Sequence, residues 1–331
     1  MVDESTKFYW FHRTRGGGNA FHFSFVLYYL IYLNVMFYLL CSILASVLLL
    51  VNFRIHGRFQ IRTFQAIVWN YPICWLVGYA MMPDNQTLGI EVGEVWTWFS
   101  WALGVVFIIT FVASGAATQR MGMTVTSLAN NVSLVIPVLF SLFVFQVGGS
   151  NFDVWNYLGL VLALGAVILS SIKKEEGSGA SAGNAWWLVV SVFLLYGFSN
   201  TAINYLTIRY IPEPDRTVPV TLVMLLGAVV TGLGLLIYRV TKGQEILAWR
   251  HFLAGVALGI PNFFSFYWLL RALDVFEGQG ALVYPLYNIG VIVGSAAVGV
   301  VFFQEKLSNW NRWGLGLAVL ALILISYQAF L

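Results

Sequence analysis

The sequence predicts an all-α polytopic membrane protein with ten transmembrane helices, arranged as two inverted five-helix repeats. Composition and an internal repeat are the two observations that predict it. Of the 331 residues, 60% are hydrophobic and only 9% are charged, whereas about a quarter of the residues of a soluble domain are charged. A helix needs about 20 apolar residues to cross a bilayer. The apolar runs of this chain lack the period-2 alternation of barrel strands, so we predict helices.

Ten apolar runs are long enough to be candidate spans. They lie at 36–53, 63–82, 96–114, 122–145, 154–172, 186–207, 218–239, 252–271, 280–303 and 311–330. The first run is preceded by more apolar sequence, from Ala20 onward, and that stretch exceeds what one crossing requires. We therefore expect residues 1–35 to be an N-terminal extension or the product of a misassigned start codon.

An internal repeat divides the remaining sequence. The stretch "VFQVGGSNFDVWNYLGLVLAL" at 144–164 matches "FFQEKLSNWNRWGLGLAVLAL" at 302–322 in nine positions without a gap, at a constant spacing of 158. The same spacing pairs Gly122 with Gly280 and Asn130 with Asn288. We predict a first repeat at 36–172, a linker at 173–185 and a second repeat at 186–331. Because five crossings per copy is an odd number, the second copy is expected to be inverted, as in many secondary transporters.

The five-plus-five plan and the ending "FFQEKLSNWNRWGLGLAVLALILI" resemble the EamA-type transporters of the drug/metabolite transporter superfamily, over residues 36–331. This resemblance implies a ten-helix transporter whose cavity is lined by helices one, three, four, six, eight and nine. One departure from a symmetric pattern is plain. The second copy has Glu305 and Lys306 where the first has Val147 and Gly148.

Polar and aromatic side chains within the predicted helices are the candidate substrate-binding residues, because polar groups in lipid-spanning helices tend to face the bundle interior. The clearest stripe lies in the sixth helix at i, i+4 and i+8. The full set is Asn130, Asn131, Tyr196, Asn200, Asn204, Asn262, Trp268, Tyr284, Tyr287 and Asn288. The alternative for each amide is a helix-to-helix hydrogen bond, worth about 0.6 kcal/mol on average; for the aromatic residues, it is core packing.

Arg271 and Asp274, near the end of the eighth helix, are candidates for gating or ion coupling, with a solvated helix end as the alternative reading. Pro261 and Pro285 each free a backbone carbonyl, which either kinks the helix or binds a polar group.

Several function classes lose their usual sequence signals. No zinc-ligand spacing, nucleophile motif or phosphate-binding loop occurs, so we expect neither an enzyme nor a cofactor or metal site. The net charge of +3 does not indicate a nucleic-acid partner. No carboxylate lies between Met36 and Phe53, which disfavours a small-multidrug type of proton-coupled exporter.

We therefore expect a secondary transporter that exports a small polar metabolite such as an amino acid by alternating access. Its expected partners are that substrate and the bilayer; a coupling proton, and a monomer or homodimer, are left open. One alternative is a nucleotide-sugar or phosphate-ester exchanger, which needs several Lys or Arg groups in the cavity, and only Arg271 is suitably placed. The other is a non-transporting scaffold or sensor.

Charge also predicts an orientation. The loops after the odd-numbered helices carry eleven basic residues, against six on the other side. The positive-inside rule then puts those loops in the cytoplasm and both termini outside. The expected location is the plasma or inner membrane.

Overall fold

The computed structural model describes residues 18–82, 86–88, 90, 92–144, 153–172, 185–210, 217–275 and 280–329, with residues 18–35 described by their backbone alone. In this part of the chain the structure is helical and contains no strand. The α-helices are α1 (Gly18–His56), α2 (Thr63–Ala80), α3 (Val95–Met121), α4 (Met123–Val132), α5 (Val135–Phe143), α6 (Val154–Ser171), α7 (Trp186–Tyr210), α8 (Thr217–Thr241), α9 (Trp249–Val275), α10 (Gly280–Phe303) and α11 (Asn309–Ser326).

Seven segments of the described chain are long and apolar enough to cross a membrane. They are Met36–His56, Val95–Met121, Met123–Ser141, Trp186–Leu206, Val218–Thr241, Trp249–Leu273 and Leu282–Phe303. The predicted spans at 63–82, 154–172 and 311–330 are helical as α2, α6 and α11 but are not among the seven. The protein is therefore an all-α multi-pass membrane protein. Large apolar side chains on its outer surface, such as Phe302 at 72% exposure, suit a lipid surrounding.

Two predicted helices differ most from their predicted bounds. The run predicted as one helix at 122–145 is divided into α4 and α5, with a turn at Ser133 and Leu134 between them. Pro137 lies in the first turn of α5 and has no N–H to donate to the carbonyl of Ser133 four residues earlier, so the helix is interrupted there. Helix α1 is continuous through Met36. Of the predicted extension at 1–35, residues 1–17 lie outside the described residues and residues 18–35 are helical as part of α1.

The helices pack in a small set of strong pairs. Helix α6 packs along α11, α9 packs on α1 and α2, and α3 packs on α7 and α8; α2 also contacts α8, and α10 contacts α1 and α4. Glycines permit the closest crossings: a Cβ added to Gly104 of α3 would lie 2.3 Å from the backbone nitrogen of Ala228 in α8. Such small-residue contacts are typical of helix packing in membranes.

Two caps fix where the last helix of each predicted repeat begins. The Asp153 carboxylate accepts hydrogen bonds from the backbone nitrogens of Trp155 (3.0 Å) and Asn156 (3.3 Å) before α6, and the Asn156 side chain accepts one from the Asp153 nitrogen (2.9 Å). This reciprocal pair is a capping box. Before α11, Ser308 Oγ accepts a hydrogen bond from the backbone nitrogen of Asn311 (3.2 Å).

Candidate functional site

A path of polar side chains crosses the interior of the bundle between α2, α9 and α1. The Asn262 amide of α9 donates to the Asn70 side chain of α2 over 3.2 Å. One turn further along α9, Ser265 Oγ donates to the Asn262 carbonyl (2.8 Å), and the Ser265 carbonyl accepts a hydrogen bond from Ser42 Oγ of α1 (2.5 Å). These hydrogen bonds join three helices through polar side chains, which apolar packing does not require.

Tyrosines continue the path to α10, α7 and α3. The hydroxyls of Ser46 in α1 and Tyr287 in α10 are 2.6 Å apart and hydrogen-bonded. The side chain of Tyr196 in α7 lies near Ser114 in α3, in the same part of the interior as Tyr287 and as Tyr71 in α2. Six helices thus contribute to one buried polar region.

We call this region the central polar cluster. Its members are Ser42, Ser46, Asn70, Tyr71, Ser114, Tyr196, Asn262, Ser265, Tyr287 and Asn288. Asn288 is included as the buried polar neighbour of Tyr287 in the sequence; no described contact joins its side chain to the other members.

Three donors of the cluster have no hydrogen-bond partner within the described residues. They are the Tyr71 hydroxyl, Asn70 Nδ2 and Asn288 Nδ2. Their residues are almost fully buried, at 1%, 0% and 4% exposure. A buried donor without an acceptor costs about 1 to 3 kcal/mol. All three are neutral donors, so each suits an acceptor atom of a ligand, such as a carboxylate or a carbonyl oxygen.

Four of the residues predicted from the sequence belong to the central polar cluster: Tyr196, Asn262, Tyr287 and Asn288. The described contacts do not join the other predicted residues to it. Asn130, Asn200 and Asn204 are half-buried on α4 and α7, and Asn131 donates within its own helix to the Ser127 carbonyl (2.8 Å).

The remaining predicted residues have other surroundings. Tyr284 is 41% exposed, and the Trp268 ring packs on Phe264 with 4.9 Å between centroids. Arg271 is exposed, and its guanidinium donates to the Tyr267 hydroxyl one turn earlier (3.2 Å). The Asp274 side chain lies outside the described residues.

One carbonyl freed by proline has a protein partner. Pro261 cannot donate to the carbonyl of Ala257, and the Asn52 amide of α1 donates to that oxygen instead (3.2 Å), as well as to the Leu48 carbonyl (2.9 Å). The freed acceptor therefore links α9 to α1.

The residues that sequence reasoning missed lie mainly on α1 and α2. Ser42, Ser46, Asn70 and Tyr71 were not singled out. A signal for the α2 pair was present, because the polar pair Asn70 and Tyr71 directly precedes Pro72 in the middle of an apolar run. The two serines gave no such signal, since single serines are common in membrane helices.

We call the end of the bundle that carries Arg54, Arg62, Arg239 and Glu305 the basic end, and contacts between loops and helix ends join its elements. Arg62 Nη1 and Gln65 Nε2, at the start of α2, both donate to Glu245 Oε2 over 2.7 Å, between α8 and α9. Partial burial alone would raise the pKa of Glu245, but the hydrogen bonds from Arg62 and Gln65 lower it below its usual value. The Arg239 guanidinium also covers the Phe64 ring at 4.2 Å. These contacts join the start of α2 to α8 and to the segment between α8 and α9.

The described residues include no group of three or more His, Cys, Asp and Glu side chains that could hold a metal ion. Both cysteines are free thiols, with Cys74 buried and Cys41 half-buried.

Comparisons with known proteins give matches along most of the chain. No protein-family model matches the sequence. A protein of Haemophilus influenzae described as uncharacterized is 26% identical over 301 residues, which cover 89% of this chain and 97% of that protein. A crystal structure aligns with 87% of this chain and 97% of its own, with a TM-score of 0.49 and 18% identity. These matches come without a described activity.

Proposed function

We propose that this protein is an EamA-type secondary transporter with ten membrane-spanning helices in two inverted repeats. One equivalence between the predicted halves carries the proposal. Asn156 of α6 donates to the carbonyls of Leu324 (3.3 Å) and Ile325 (2.8 Å) near the end of α11. Its repeat partner, Gly314 of α11, faces the Ala166 carbonyl near the end of α6, at 3.0 Å from a Cβ built on the glycine. Ala166 and Leu324 are themselves separated by 158 positions, so the two contacts correspond under exchange of the halves.

The strongest helix pairs support the same symmetry. Exchanging the halves replaces α1 by α7, α2 by α8, α3 by α9, α4 with α5 by α10, and α6 by α11. This exchange converts the α9 contacts with α1 and α2 into the α3 contacts with α7 and α8, and leaves the α6–α11, α2–α8 and α4–α10 pairs unchanged. Two equivalent halves around a shared centre are what alternating access requires.

The central polar cluster supports a small neutral or zwitterionic substrate, such as an amino acid. It offers neutral donors and contains no Lys or Arg among its described members. A phosphate ester or nucleotide sugar would call for several cationic partners. Export from the cytoplasm, across the plasma or inner membrane, is our proposed direction.

Transport by the purified protein in liposomes tests this proposal. Flux is measured over a panel of amino acids, nucleosides and other small metabolites, after a thermal-shift screen has selected those that bind. We expect at least one zwitterionic compound to bind and to cross the membrane. Folded protein that neither binds nor moves any member of a broad panel would contradict the proposal.

Variants then separate the two sets of candidate residues. We expect Asn70→Ala with Asn262→Ala to reduce flux by about tenfold or more, because both amides lie in the central polar cluster. The triple variant Asn130→Ala, Asn200→Ala, Asn288→Ala tests the sequence-predicted set. Asn309→Ala, an exposed amide at the start of α11, is the matched control, and its flux should be unchanged. Normal flux in both the double variant and the triple variant would place the substrate elsewhere.

The proposed orientation has its own test. A reporter that is active only in the cytoplasm, fused after Leu331, should be inactive because the positive-inside rule puts the C-terminus outside. An active reporter would reverse the orientation without affecting the transport proposal.

A further inference from the structure

Glu305 is an acidic residue of the second repeat whose partner in the first repeat is Val147, and its side chain contacts residues of the first repeat. Its Oε1 accepts a hydrogen bond from the backbone nitrogen of Met123 (2.7 Å), and its Oε2 accepts from the hydroxyl (2.8 Å) and the backbone nitrogen (3.3 Å) of Thr124. The guanidinium Nε of Arg54 lies 3.8 Å from Oε1. The carboxylate therefore caps the N-terminus of α4, where unpaired N–H groups and the helix dipole favour an anion.

The backbone around Glu305 is shaped to admit this carboxylate. Gly122, with φ of +99°, precedes α4, and a Cβ there would lie 2.8 Å from Oε1. A Cβ on Gly299 of α10 would lie 2.6 Å from Oε2. Gln304 adopts a left-handed φ of 52°, which turns the chain so that the Glu305 nitrogen donates to the Gly299 carbonyl (2.9 Å). A non-glycine residue adopts that conformation at a cost.

The contact joins the predicted halves at the basic end. Glu305 follows α10 of the second half, whereas Arg54, Met123 and Thr124 belong to the first half. Its repeat partner is Val147, a side chain that can accept no hydrogen bond. Residues 145–152 lie outside the described part of the chain, so the difference between the two repeats at this position is known from the sequence. The carboxylate-to-helix contact can form at the basic end, and the corresponding position of the other repeat cannot form it.

We propose that the Glu305 contact holds the basic end of the bundle closed and that it must break for that end to open. This proposal rests on the proposed transport function, because it assigns Glu305 a place in alternating access. Glu305 is a positioning residue, since it contacts α4 and Arg54 and is not part of the central polar cluster. Loss of its charged hydrogen bonds shifts the population toward the state open at this end.

Reactivity of the native Cys74 tests the proposal without any substrate. Cys74 is buried on α2 in the same core cluster as Tyr71, so in a Cys41→Ser background it reports access to the centre of the bundle. The reagent is a membrane-impermeant maleimide, applied to right-side-out and inside-out vesicles. A separate Lys242→Cys variant, exposed at the basic end, identifies which preparation presents that end.

We expect Glu305→Gln and Glu305→Ala to raise the Cys74 labelling rate from the basic end by about tenfold. Arg54→Gln should have a smaller effect, because its ion pair is longer than the hydrogen bonds to α4. Glu94→Gln, an exposed residue before α3, and Lys306→Gln, the exposed neighbour of Glu305, are matched charge controls. Both controls should label at the wild-type rate.

Unchanged labelling in folded Glu305 variants would overturn the proposal. So would labelling that rises equally from both ends, because it would indicate general loosening of the bundle. Folding is checked by a single symmetric peak in size-exclusion chromatography. Failure here is distinguishable from failure of the transport proposal. If labelling rises from the basic end but no compound is transported, the role of the Glu305 contact is supported and the transport proposal is contradicted. If compounds are transported but labelling is unchanged, the transport proposal is supported and the role of the Glu305 contact is contradicted.

Discussion

Replacing Tyr71 by phenylalanine should stabilise the protein while weakening its proposed activity. The Tyr71 side chain is 1% exposed and its hydroxyl has no hydrogen-bond partner within the described residues. Removing a buried unpaired hydroxyl abolishes its desolvation penalty and leaves the ring packing intact. We expect the free energy of unfolding to rise by about 1 kcal/mol.

Tyr287→Phe is the matched comparison, because the same atom is removed from a hydroxyl that has a partner. The Tyr287 hydroxyl is 2.6 Å from Ser46 Oγ, and its loss leaves that serine unpaired. We expect the free energy of unfolding to fall by about 1 kcal/mol. The two variants should therefore differ by about 2 kcal/mol, with opposite signs relative to wild type.

Equilibrium unfolding in mixed detergent micelles, followed by far-UV circular dichroism, measures both variants. A destabilised Tyr71→Phe variant, equal to Tyr287→Phe, would refute the assignment of an unpaired donor at position 71. For any substrate found by the screen, Tyr71→Phe should also bind about tenfold more weakly. Unaltered affinity would remove Tyr71 from the site without changing the stability argument.

Three further predictions concern the ends and crossings of the helices. Asn156→Ala should lower the free energy of unfolding by about 2 kcal/mol, because it breaks the capping box and the hydrogen bond to the Ile325 carbonyl. A loss of unfolding free energy smaller than that of an alanine substitution at an exposed position would contradict this. The hydrogen bond from Tyr327 lowers the pKa of Asp153 from its ordinary value of 3.8. The Asp153–Tyr327 contact therefore contributes its full stability above pH 3.8 and loses it as the pH falls through the lowered pKa of Asp153. Between about pH 5 and about pH 3, the melting temperature of the wild type should fall more than that of Tyr327→Phe. Equal losses would be the contrary result. Gly104→Leu should prevent α3 from approaching α8 and give aggregated protein in size-exclusion chromatography, whereas a monodisperse peak would show that the crossing can widen.

The fold class was predictable because the bilayer imposes simple requirements on a sequence. Apolar runs of sufficient length, with few charges, indicate helices whatever their neighbours are. Helix ends were predicted less well where a local feature competed, as at Pro137, which divides one predicted helix into α4 and α5. The proline was visible in the sequence, but an apolar stretch tolerates a proline in either a kinked or a divided helix.

The candidate site was predictable only in part. Tyr196, Asn262, Tyr287 and Asn288 were selected as polar residues within apolar helices, and they lie in the central polar cluster. Asn131 met the same criterion but bonds to its own helix. Sequence periodicity identifies the polar face of a helix, but it does not identify the helix that packs against that face.

The sequence by itself determined the apolar helices, the 158-residue spacing and the difference between Glu305 and its repeat partner Val147, because each depends only on residues and their order. Only the tertiary structure decided which polar groups meet. It paired Asn70 with Asn262, left the Tyr71 hydroxyl without a partner among the described residues, and placed the Glu305 carboxylate on the first turn of α4. The physical reason is that hydrogen bonds act over about 3 Å, so a contact between residues far apart in the chain exists only after the helices have packed.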